Sequence, residues 1–148
     1  MKENQRDRIQ ETVDRMVEMD RIHRAVCDRE LSRIGLYRSQ HRMLMHLHFH
    51  GGVSSQRELA RELNISPAVV NVTLRKLEAG GYIARLPAEK DRRMTGIELT
   101  TRGNEIVNRT HSILDRVDAC MLRDFSDEEL TMAMSFFRRM KENLLTFS

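Results

Sequence analysis

The chain has 148 residues, 40% of them hydrophobic and 32% charged, with a formal net charge of +3. That size suits one domain of about 100–150 residues, and with aromatics at 5% and no tryptophan the core must rest on Leu, Ile, Val and the ten Met. No apolar run reaches the roughly 20 residues that cross a bilayer, no signal-peptide pattern follows Met1, and Cys27 and Cys120 are too few for a disulfide framework; a cytoplasmic, helix-rich protein is expected.

Residues 2–32 contain neither Gly nor Pro and set Ile9, Val13, Met16, Met19, Ile22 and Val26 three or four apart, the spacing of one helical face. A small monomer offers that stripe too few neighbours, so packing against a second chain is expected. Gly35 interrupts, and a helix over about 39–49 follows with Leu44 and Leu47 inward. It carries the run QHRMLMHLHFH, in which His41, His46, His48 and His50 mingle with Met43 and Met45. Residues i and i+2 of a helix diverge, so only His46 and His50 share a face. These histidines read as surface residues at a helix end; no metal, cofactor or thiol switch is expected.

Residues 55–81 read as helix, turn, helix. Ser55 is an N-cap and Glu58, three residues on, completes a capping box. Leu59, Ala60 and Leu63 give one apolar face. Asn64 tolerates a left-handed corner, which Ile65 plugs. Ser66 caps the second helix and Pro67 occupies its first position, where the missing N–H costs nothing. Val70, Leu74 and Leu77 face inward, and Gly80-Gly81 stops the helix. The second helix of such a unit fits the DNA major groove.

A short β-prone run, Tyr82–Leu86, and the in-out-in Ile97-Glu98-Leu99 then enclose a polar loop ending at Gly96. A hairpin that projects cations beside a recognition helix is a wing, suited to phosphates or a minor groove. Thr100 or Thr101 caps a helix to about Arg123 with Ile106, Ile113, Leu114 and Val117 on its apolar face. Ser126 and Glu129 form a further capping box, opening a helix that bears Leu130, Ala133, Met134, Phe137, Met140 and Leu144. Residues 55–102 hold nine Lys/Arg against six Asp/Glu, whereas 103–148 hold six against eight; the positive charge sits where DNA would lie. The fold class is therefore mainly α with a small β-hairpin wing, a winged helix-turn-helix core flanked by dimerisation helices. The expected division is 1–34, an N-terminal dimerisation helix, 35–102, the DNA-binding region, and 103–148, C-terminal dimerisation helices.

The order SQRELARELNIS, LRKLEAGGYI and DRRMTGIELTTRG resembles the MarR family of bacterial transcription regulators. The resemblance implies a homodimer in which first and last helices interleave, a palindromic duplex operator, usually repression, and a small lipophilic or phenolic effector in an apolar crevice. In its wing the Asp of a D-x-R element pairs with the Arg, which enters the minor groove; this maps onto Asp91 and Arg93. Val69 and Val72 stand where the family often carries polar or basic residues, and Gly96 stands where a second wing Arg is common.

The residues expected at DNA are Ser54, Ser55, Gln56, Ser66 and Pro67 near helix N-termini, and Ala68, Val69, Asn71, Val72 and Arg75 on the second helix. Asn71 suits adenine, Arg75 guanine or phosphate, and the two valines thymine methyls, hence an A/T-rich site. Arg85, Lys90, Asp91, Arg92 and Arg93 complete the set from the wing. Met16, Met19, Met43 and Met45 are deformable candidates for an effector wall. No nucleophile elbow, phosphate-binding Gly loop, zincin helix or paired-Cys motif is present, so an enzyme is not expected. The alternatives are a metal- or thiol-sensing regulator of the same fold, and a winged-helix protein-interaction module without DNA binding.

Overall fold

The computed structural model describes residues 3–51, 55–86 and 96–147. The elements run α1 (Glu3–Ser32), α2 (Arg38–Phe49), α3 (Gln56–Glu62), α4 (Pro67–Ala79), β1 (Ile83–Arg85), β2 (Ile97–Leu99), α5 (Thr101–Met121) and α6 (Asp127–Leu145). This is the mainly helical, winged helix-turn-helix architecture expected from the periodicities. One compact unit runs to Val117, and a second holds residues 118–148. No described helix is long and apolar enough to cross a membrane.

The first unit's core draws one or more side chains from every element up to the start of α5. Leu31, Met43, Leu44, Leu47, Leu59, Val70, Leu74, Leu77, Ile83, Ile97 and Val107 are all buried together. Burying each such side chain is worth about 1.5–3 kcal/mol, which fixes α4 against α2 and α3 through its inward residues. The C-terminal turn of α1 is tied to α2 by Arg38, whose Nε and Nη2 donate to the two carboxylate oxygens of Asp28 at 2.8 and 2.9 Å, and whose Nη2 also donates to the Arg24 carbonyl at 3.1 Å.

The corners follow local chemistry. Asn64 takes φ 51° between α3 and α4, as its residue type permits. Ser66 Oγ accepts from Val69 N at 3.3 Å, and Ser55 Oγ from Glu58 N at 3.1 Å. Only half of the capping box expected at Ser55 forms, because the Glu58 carboxylate turns towards Arg61, 3.7 Å away. The box at Ser126 and Glu129 is complete. Strands β1 and β2 pair antiparallel, Ile83 opposite Leu99, Ala84 opposite Glu98 and Arg85 opposite Ile97.

Thr100 is the cap of α5: its Oγ1 accepts from Gly103 N at 3.0 Å and donates to the Gly81 carbonyl at 2.6 Å. One hydroxyl thus links the end of the helix-turn-helix, the returning strand and α5. In the second unit every residue of α6 retains solvent contact, and Met132, Met134, Phe136, Phe137, Leu144 and Leu145 are exposed. On α1, Ile9, Val13, Met16, Val17, Met19 and Ile22 are exposed as well.

Candidate nucleic-acid interface

Helix α4 divides its side chains as the pattern in the sequence requires. Val70, Leu74 and Leu77 have no exposed surface, while Val69 and Val72 are 43% and 54% exposed. Ala68 and Arg75 are exposed and Asn71 is half-buried. Both valines therefore stand outside the core. They form an apolar outer face on α4. Ser66 and Pro67 lie at the helix N-terminus, both exposed, and Ser55 and Gln56 at that of α3 are half-buried.

Arg85 is engaged within the protein. Its Nε donates to Glu78 Oε2 at 3.2 Å. With the Gln56 amide turned so that its oxygen faces the guanidinium, that oxygen accepts from Arg85 Nη1 at 2.8 Å. Arg85, expected at phosphates as Gln56 was, is therefore bracketed by Glu78 of α4 and Gln56 of α3. Ser54, Lys90, Asp91, Arg92 and Arg93 lie outside the described residues.

The four methionines proposed for an effector wall are not brought together. Met43 is fully buried core, Met45 packs against that core, and Met16 and Met19 lie on the exposed stripe of α1. Met43 fills the space between α2 and its neighbours and has no surface to offer a ligand. A groove of about 480 Å³ lies elsewhere, between the start of α2 and the outer face of α4, with Tyr37, Gln40, Val69, Val72 and Lys76 among its walls. Lys76 Nζ stands 5.9 Å from the centre of the Tyr37 ring, within cation–π range.

His48 and His50 are exposed, as expected of surface histidines, but His41 and His46 are not. The His46 side chain is only 8% exposed, and its Nε2 lies 2.8 Å from Glu62 Oε2 at the end of α3. Sequence spacing along α2 could not disclose a carboxylate arriving from another helix. His41 is half-buried, and its Nδ1 is shielded without a partner. Burial, reinforced by the neighbouring His111, holds its pKa below the usual histidine value. Below about pH 6.5 the unfolded chain takes up a proton that folded His41 resists, so this contribution to stability is present above that pH and lost as pH falls. Urea midpoints measured between about pH 7.5 and 5.5 should fall less in His41→Gln than in the parent.

The MarR family model matches residues 34–94. The HTH-type transcriptional regulator YdgJ of Bacillus subtilis is 32% identical over 107 residues, 72% of this chain; the chain spans 65% of that relative's length. Among solved structures, a variant of Staphylococcus aureus MepR matches with TM-score 0.78 and 26% identity, covering 90% of this chain and 97% of that one. A second S. aureus MepR variant, bound to an oligodeoxyribonucleotide, matches with TM-score 0.67 and 25% identity over 91% and 97% of the two chains.

Proposed function

The chain belongs to the MarR family of transcription regulators, and on that footing we propose that it is a homodimeric, cytoplasmic DNA-binding protein that represses transcription from a palindromic operator. The observation that carries the reading is the outer face of α4, where Ala68, Val69, Val72 and Arg75 stand free while the opposite face is sealed in the core. Arg75 supplies a charged contact to guanine or phosphate, Asn71 a contact to adenine, and the two valines favour thymine. The basic wing residues Lys90, Arg92 and Arg93, with Asp91 among them in the sequence, are assigned to the flanks of the operator, and Ser54, Ser55, Ser66 and Pro67 to phosphates near helix ends. The MepR variant bound to an oligodeoxyribonucleotide supports DNA as the partner.

Residues 1–34 and 103–148 are assigned to dimerisation, which the exposed stripes of α1 and α6 support. Twofold symmetry would set two α4 helices about 34 Å apart, one turn of B-DNA. A small lipophilic or phenolic effector would relieve repression only by binding better to dimers with some other spacing.

Selection of bound genomic fragments by the purified protein tests the reading and identifies the operator. With that fragment, Arg75→Ala and Arg93→Ala should each weaken binding about tenfold, a typical size for one base or groove contact, without altering the dimer. Full affinity in both variants in gel shifts at physiological salt would remove α4 and the wing from the interface.

A further inference from the structure

The C-terminal turn of α2 and the last residue of α3 bring together three groups that the DNA interface does not use. His46 and His50 are one helical turn apart, and Glu62 faces them from α3. A ligand atom from each residue lies within 4.8 Å of the others. We propose that His46, His50 and Glu62 bind a divalent transition-metal ion of the zinc type, fastening α2 to the first helix of the helix-turn-helix.

Three features favour an ion over a histidine–carboxylate contact alone. His46 Nε2 is shielded from solvent and makes no hydrogen bond, although Glu62 Oε2 is only 2.8 Å away. Two lone-pair atoms at that distance, in poor alignment for a shared proton, are both satisfied by a cation placed beside them. His50 Nδ1 lies 2.9 Å from the His46 carbonyl oxygen. A carbonyl only accepts, so Nδ1 carries a proton, and in the neutral ring Nε2 keeps the lone pair; a second hydrogen bond of this kind commonly orients a metal-binding imidazole. The donor set also selects the metal class. Two imidazoles and one carboxylate suit zinc and its first-row neighbours, whereas magnesium and calcium prefer oxygen alone.

In the present arrangement the two imidazole rings are stacked, with centres 4.2 Å apart and planes 19° apart. Near-parallel rings do not converge on one point, so capture requires the exposed His50 ring to tilt off the stack. Water or an outside ligand completes the shell on the solvent side. Arg42 Nη2 already donates to the Leu63 carbonyl at 2.8 Å, one residue beyond Glu62. The ion would therefore add a second clasp at the same corner, holding the angle of α3 against α2.

The test needs no DNA, so it is independent of the operator reading. Zn²⁺ titrated calorimetrically into the chelator-treated full chain should bind one equivalent per chain and raise the melting temperature. Glu62→Gln and His50→Gln, both at the solvent edge, should each weaken binding by at least about tenfold, the lower end for losing even an outer partner of a metal ligand. Both should retain the parent circular dichroism spectrum. His48→Gln, on the diverging face of α2, should bind as the parent does. With Co²⁺ as probe, the visible bands of a four-coordinate ion should appear in the parent and be lost in Glu62→Gln. Absence of Zn²⁺ binding by the folded parent, or binding that survives both Glu62→Gln and His50→Gln, overturns the proposal.

Discussion

Phe137→Asp is expected to turn a dimer into monomers, as read by sedimentation velocity. Helix α6 has no buried residue, and Phe137 and Leu144, seven residues apart on one face, are 53% and 74% exposed. Isolated apolar side chains on a surface are ordinary, but a continuous stripe along a whole helix marks an interface. Burying one phenylalanine is worth about 1.5–3 kcal/mol, and in a twofold interface each substitution is made twice. The loss is then about 3–6 kcal/mol per dimer, a rise in the dissociation constant of roughly 10²–10⁴-fold. Aspartate adds the cost of burying charge. Helix content should be unchanged, because the position is solvated in the single chain. A variant that sediments as the parent does would place the interface elsewhere.

Gly103→Ala is expected to destabilise the chain by about 2–3 kcal/mol although it replaces glycine by the best helix former. In a free helix the change is worth up to about 1 kcal/mol in the stabilising direction. Here a Cβ at Gly103 would run into the Tyr82 carbonyl oxygen, with Tyr82 C at 3.1 Å and Leu99 Cδ2 at 3.2 Å. The obstacle is backbone, and it is held in place. The Tyr82 carbonyl oxygen accepts from Thr100 N at 3.1 Å, and the Tyr82 N donates to the Leu77 carbonyl at 2.9 Å. Neither partner can move without breaking the cap of α5 or the end of α4, and strain of this kind exceeds the propensity gain. At roughly 2–4 °C per kcal/mol for a chain of this size, the melting temperature should fall by several degrees at fixed protein concentration. A higher melting temperature would show that α5 can slide away from the hairpin at little cost.

Where the signal is local, the fold is legible in the residues themselves. The cap at Ser66, the left-handed Asn64 and the inward Val70, Leu74 and Leu77 each depend on a few neighbouring residues. The contacts that the sequence does not disclose all depend on the angle between elements. Glu62 reaches His46 only because α3 crosses the end of α2. Arg85 resembles a wing cation by its place in the chain, yet Glu78 lies within its reach seven residues back. Met43 and Met16 share a residue type and a helical setting, but one is enclosed and the other bare, since nothing within either helix states what covers it. Gly103 reads in the sequence as one more helical residue; the backbone that approaches it comes from Tyr82.

The bracketing of Arg85 by Glu78 and Gln56, together with the ladder from Ile83 to Leu99, anchors the root of the hairpin to the body of the fold. The sequence between Leu86 and Gly96 can therefore change over evolutionary time without retuning α4. On the proposed DNA-binding reading, binding strength and sequence preference would then be separately adjustable traits, one following residues 87–95 and the other the outer face of α4. Grafting a foreign tip between Leu86 and Gly96 is the laboratory version of that drift.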